Sequence, residues 1–220
     1  MPRRTTPTPP KLRTLRLPEL TAGAPAALRA HGTYEALTFT GDDLTGMDLT
    51  NVGFTDCALA ELNVHELELT SARITDTRLH HLDIPTVSAA YAALRTVVLE
   101  DSRLGVLQCI EGTWDSVLVR GCKLGYLSLR GASVRDVAFE DCVIGELDLT
   151  GAQAERVAFT GSELGTLDVS DATLRDVDLR PLDLPDITGL GHLRGATIND
   201  FQLQQLAPAM AAHLGIDVAG

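Results

Sequence analysis

Residues 122–141 read CKLGYLSLRGASVRDVAFED, residues 142–161 read CVIGELDLTGAQAERVAFTG, and residues 162–181 read SELGTLDVSDATLRDVDLRP. Set beneath one another, the three lines share their apolar positions. Every fifth residue is apolar, through Leu124, Leu129, Val134 and Phe139 in the first line and Ile144, Leu149, Ala154 and Phe159 in the second. A second series lies two residues earlier, and its sizes alternate with a period of twenty: Cys122, Cys142 and Ser162, then Leu127, Leu147 and Leu167, then Ala132, Ala152 and Ala172, then Val137, Val157 and Val177. An α-helix repeats every 3.6 residues and a strand every two, so neither keeps a five-residue stripe on one face. A chain that turns a corner every five residues does.

Four sides of five residues make one coil, and a period-twenty self-similarity is the mark of a solenoid whose repeats bury their apolar faces only against neighbouring repeats. The stripe runs without insertion from Tyr34 to Leu184, and no residue in it is charged. Some 155 residues in coils of twenty give roughly eight coils and a rod of about 37 Å at ~4.8 Å per coil. Glycine recurs in the same rhythm at Gly105, Gly125, Gly145 and Gly165. Such a column implies a corner where side chains crowd or where φ is unusual.

In Met47-Asp48-Leu49-Thr50, Leu147-Asp148-Leu149-Thr150-Gly151, Leu167-Asp168-Val169-Ser170 and Val177-Asp178-Leu179-Arg180, an acid precedes each apolar centre. These pieces resemble the bacterial pentapeptide-repeat family, with its consensus A-[DN]-L-x-x, over roughly residues 34 to 188. The resemblance implies an all-β fold, a right-handed quadrilateral parallel β-helix. The sequence departs from the consensus by using Leu or Val as often as Ala at the second buried position. Some members of that family mimic duplex DNA by shape and acidic surface, dimerise through a C-terminal helix, and bind DNA gyrase, a type II topoisomerase, giving protection from gyrase poisons. The resemblance therefore implies a protein partner, with gyrase as the sharpest specific case.

The formal net charge is −12 and aromatic residues make up 4% of the chain. Few rings suit a narrow interior that holds two inward side chains per side. Arg3, Arg4, Lys11, Arg13, Arg16 and Arg29 face only Glu19 within residues 1 to 30, so the negative charge belongs to the rest of the chain. An acidic rod does not attract nucleic acid and favours basic partners. The acids are not concentrated, however. Asp48, Glu68, Asp148 and Asp168 fall on one side as a candidate acidic face, while another side alternates Arg95, Asp115, Arg135, Glu155 and Arg175. No apolar run approaches the length of a membrane span, and no secretory segment opens the chain. A cytoplasmic location is the expectation.

Cys57, Cys109, Cys122 and Cys142 all fall at inward positions. Buried free thiols are the expected reading, with a Cys122–Cys142 disulfide, within reach at coil spacing, as the alternative. No CxxC pair, P-loop, G-x-S-x-G or G-x-G-x-x-G occurs, and adjacent His80 and His81 lack further ligands at a metal spacing. No cofactor, metal or enzymatic activity is expected. Small Gly112 and Cys109 leave volume for Trp114 to fill.

Outside the rod, residues 1–11 read as a disordered basic, Pro-rich tail and residues 12–33 as an N-terminal cap over the first coil. Segment 85–93, with Pro85 and Ala89, is the weakest part of the repeat. Residues 189–220 form a loop and then a helix capped by Asn199 or Asp200 and stopped by Gly215, with Pro208 kinking it or dividing it in two. Its apolar residues Leu203, Leu206, Met210 and Leu214 are candidates for covering the last coil, a homodimer contact, or both.

Overall fold

In the computed structural model, residues 6–41, 44, 47–62, 64–183 and 186–218 are described. Leu184 and Pro185, where the stripe is expected to end, lie outside them, as do Arg3 and Arg4 of the basic tail. The chain winds as a parallel β-solenoid. Each regular coil gives an eight-residue strand to one sheet, as in Thr113–Arg120 and Ser133–Glu140, and a six-residue strand to the other, as in Lys123–Ser128 and Val143–Asp148. The first sheet has 12 strands and the second 7. The pairings are parallel, and between the coils they are shifted by one coil: Leu127 registers with Leu147 and Leu147 with Leu167, Val137 with Val157, and Phe139 with Phe159. The inward columns read from the sequence are thus stacked, and nearly all of their members are buried.

The corners explain the polar positions. The long strands bend at their middle, where Thr96, Ser116, Asp136 and Arg156 adopt positive φ, and the breaks between strands do the same at Asp101, Glu111, Asp141 and Asp171. Asp, Asn, Ser and Gly tolerate this left-handed conformation through local hydrogen bonding or the lack of a Cβ, hence their abundance at every fifth position. Gly125 has a different reason. A Cβ there would overlap the carbonyl oxygen of Gly105 one coil below, and Gly145 and Gly165 repeat the arrangement. Crowding, not φ, selects glycine in this column.

The inward Ser and Cys residues do more than fill space. Ser102 Oγ accepts from the Leu82 amide at 3.0 Å and donates to the Glu100 carbonyl at 2.8 Å. One and two coils further on, the Cys122 and Cys142 thiols donate to the carbonyls of Arg120 and Glu140, and Ser162 Oγ accepts from the Cys142 amide at 3.0 Å. At this corner a small polar side chain satisfies buried backbone groups that would otherwise be costly. All four cysteines are free and buried. The hydrogen bond with Cys142 and burial push the Cys122 thiol up, and burial pushes Cys109 up to about 11, so both stay protonated. Trp114 is buried and its Nε1 donates to Cys109 Sγ at 3.1 Å, while the place of a Gly112 side chain is taken by that sulfur and the Ala92 carbonyl.

Both ends are closed, though not as the sequence suggests. Thr21–Ala22 pairs with Leu37–Thr38, the short 3-10 turn Pro25–Ala27 follows, and Leu28 is buried. The Tyr34 hydroxyl fixes this cap by donating to the Ala27 carbonyl at 2.6 Å and accepting from the Arg29 amide at 3.0 Å. Capping therefore begins at Thr21, not at residue 12. Residues 6–20 instead run along the rod as an extended strap. The Thr8 amide donates to Asp176 at 3.0 Å, the Lys11 amide to Asp136 at 2.7 Å and the Arg13 amide to Ser116 Oγ at 2.7 Å, while the Thr21 amide reaches the Ala36 carbonyl. Those partners lie on coils seven steps apart, ~34 Å covered by thirteen residues, or about 2.6 Å per residue, which only a nearly extended chain achieves. Thr8 and Lys11, within the segment read as a tail, take part in these contacts in an extended conformation. The segment supplies basic charge and main-chain amide donors where the rod supplies acceptors.

Candidate protein-binding surfaces

The acidic candidates form one column in two separated pairs. Asp48 bridges to Glu68, and Asp148 registers with Asp168. Between the pairs stand Ser88, Gln108 and Ser128. Every one of these carboxylates is also engaged locally, since Asp48, Glu68, Asp148 and Asp168 accept from the amides of Thr50, Thr70, Thr150 and Ser170, two residues on, at 2.8–2.9 Å. The acid of the repeat motif thus closes a turn, the competition for backbone donors that makes short acids turn formers. Hydrogen bonds from Thr50 hold the Asp48 carboxyl below the usual range. For Asp148, burial pulls upward, but Thr150, Tyr126 and Arg130 together bring its pKa down.

The next two sides neutralise themselves. Asp115 takes Arg13 at 3.0 Å and Arg95 at 4.0 Å, and Glu155 takes Arg135 at 3.4 Å as well as Arg156 and Arg175. On an adjoining column Arg120 meets Glu140 one coil above, and Arg78, from the column of Val98, reaches Glu100. Asp136 is gripped by Arg156 at 2.6 and 2.8 Å, and these bonds, outweighing burial and aided by the Lys11 amide, lower its pKa. Apart from the largely covered pairs that Arg156 makes with Asp136 and Glu155, these ion pairs have an exposed partner and add little stability individually; their effect is to remove net potential.

The C-terminal helix is a single element, Asp200–His213, with Pro208 inside it. Asn199 is its N-cap in a reciprocal capping box with Gln202, which the spacing Asn199-x-x-Gln202 announces. Gln202 is buried and its amide donates to the Leu179 carbonyl at 2.7 Å, closing the last coil; sequence reading passed it over because a glutamine carries no apolar signal. The four helix candidates divide. Leu206, 5% exposed, faces the rod, and Met210 is half-buried; Leu203 and Leu214, 50% and 70% exposed, face outward. Phe201, Ile216 and Val218 join them. A shallow groove beside them is lined by Ala207, Pro208, Ala211, Gly215, Ile216 and Val218.

Among the described residues no group of His, Cys, Asp and Glu is placed to hold a metal, and no helix is long and apolar enough to cross a membrane. His80 and His81 contact each other edge to face, with ring centroids 5.1 Å apart.

No known family profile and no curated protein matches the sequence. Among solved structures, the chain is similar to two trypsin-treated variants of QnrB1, a plasmid-mediated fluoroquinolone resistance protein. Identities are 20% and 14%, coverage is 87% and 84% of this chain and 91% and 99% of those, and TM-scores are 0.30 and 0.32. It is also similar to HetL, a pentapeptide repeat protein involved in heterocyst differentiation regulation from the cyanobacterium Nostoc sp. strain PCC 7120, at 15% identity over 78% of this chain and 90% of that one, with TM-score 0.27. The fold assignment stands on the coils themselves: five-residue sides and a one-coil parallel register make this chain a parallel β-solenoid of about eight coils.

Proposed function

We propose that the chain is a non-enzymatic, protein-binding rod that pairs with a second copy through its C-terminal helix. The observation that carries this reading is the outward apolar run of Phe201, Leu203, Leu214, Ile216 and Val218 in a molecule whose other large apolar side chains are mostly buried. Apolar residues grouped at one end of a charged rod mark an association surface. A two-fold contact suits them because an isologous patch is complementary to itself. The test is light scattering on Leu203→Asp combined with Leu214→Asp. A dimeric wild type should become monomeric without loss of β-sheet signal. A wild type that is monomeric at high concentration removes the pairing.

The resemblance to the pentapeptide-repeat family makes DNA gyrase the first partner to test. Net charge and rod length support it. A duplex-like stripe does not run along the Asp48–Asp168 column, which Ser88, Gln108 and Ser128 interrupt, so the broader reading is the conclusion. A supercoiling assay separates the two: inhibition of gyrase, or its rescue from a quinolone, establishes the narrower role, and no effect at micromolar protein leaves the rod with another partner.

A further inference from the structure

We propose that the edge of the rod along Ser116, Asp136 and Asp176 is a binding track for an extended peptide, and that the strap of a second copy is what it takes in trans. Three observations lead there. Contact is made by side-chain acceptors on the rod to main-chain amides of Thr8, Lys11 and Arg13, a mode that recognises an extended backbone and leaves the strap outside either sheet. Beside these acceptors the outward column reads Val98, Leu118, Ala138 and Ala158, apolar where an outward position is usually polar, and Ala138 is buried. Half-buried Leu12, Leu15 and Leu17 belong to the covering strap. Charge is complementary too, since Arg13 meets Asp115 and the strap also carries Lys11 and Arg16.

A crevice of about 230 Å³ lies between Leu12, Arg13, Thr14 and Leu15 on one side and Thr96, Val98, Ser116 and Leu118 on the other. At Thr21 the strap runs into the rod, where the Thr21 amide donates to the Ala36 carbonyl. An element held this way can leave its own track and occupy the identical track of another molecule with every contact conserved, the low-cost exchange behind domain swapping. In cis the strap has the advantage of effective concentration, so exchange grows with protein concentration.

Two measurements on the full chain test this. First, a fluorescein-labelled peptide of residues 6–20 is titrated into Leu12→Asp/Leu15→Asp, whose own strap is weakened, with circular dichroism showing an intact rod. Saturable binding at least tenfold tighter than to wild type is expected, and it should fall at least tenfold when Ser116→Ala and Asp136→Ala are added. No binding, or binding equal in wild type and in the track variant, overturns the track. Second, because the native thiols are all buried, a donor dye at Thr14→Cys in one preparation and an acceptor at Arg120→Cys in another can be mixed. Both carry Leu203→Asp and Leu214→Asp to remove helix pairing. Energy transfer that rises with concentration and vanishes with Leu12→Asp supports exchange between copies; its absence at all concentrations overturns it.

Discussion

In the C-terminal coils the interior is filled by rings: Phe139 lies flat on Phe159, with centroids 5.0 Å apart and planes 7° from parallel. Between Phe54 and Trp114 the inward stripe holds no ring, only Leu, Ile, Val64, Ala89 and Cys109, with Ala92 on a neighbouring column, and an apolar void of about 60 Å³ lies among them. From Arg73 onward the backbone is the same in both regions, strand for strand and register for register, while the coil before it gives only the three-residue strands Gly53–Thr55, Ala58–Ala60 and Glu66–Glu68. The coil shape is therefore set by the hydrogen-bond ladder and the corners, whereas filling is a local matter of side-chain volume. A solenoid tolerates this because each coil answers only to its neighbours. The void exceeds the volume one water needs, but it offers no polar partners and so stays dry.

The contrast can be broken most sharply in the filled region. Phe139→Ala should cost about 3–5 kcal/mol, on the order of 10 °C in Tm, because a fully packed ring and its stacked partner are both lost. Ile84→Ala should cost about 2–3 kcal/mol, since one side of Ile84 already faces the void and forfeits fewer contacts. Urea unfolding of the two variants should keep that order; a reversed order would mean that the two interiors are equally packed. Gly105→Ala and Gly125→Ala, which press a Cβ onto the carbonyls of Pro85 and Gly105, should each cost about 1–3 kcal/mol and by similar amounts. Unequal costs would show that the backbones differ after all. The smallest effect has the opposite sign. Ala89→Leu should stabilise by about 0.5–1 kcal/mol in thermal melts by entering the void, and a loss there would show that Ala89 does not open onto it.

Sequence periodicity made the rod legible because one residue type in five is forced inward, and the force repeats identically from coil to coil. Ladder register, the inward Leu127 column and the glycine crowding all follow from that single constraint. The strap did not, because its acceptors, Ser116, Asp136 and Asp176, sit at corner positions where polar residues are expected anyway. The readable trace was elsewhere, in the outward apolar run of Val98, Leu118, Ala138 and Ala158, which has no purpose on a bare face. Among the helix residues, amphipathic spacing found Leu206 but could not say which way it pointed. Its partner in closing the last coil, Gln202, is polar and works through hydrogen bonds to carbonyls that only the folded coil presents.

A strap that meets the rod at Asp176, Asp136 and Ser116 also measures it. Duplicating a coil would move the far anchor by ~4.8 Å, roughly two residues of extended chain. Growth of such a rod by whole coils is then not free: its N-terminal segment must lengthen in step, or the newest coils remain beyond its grasp.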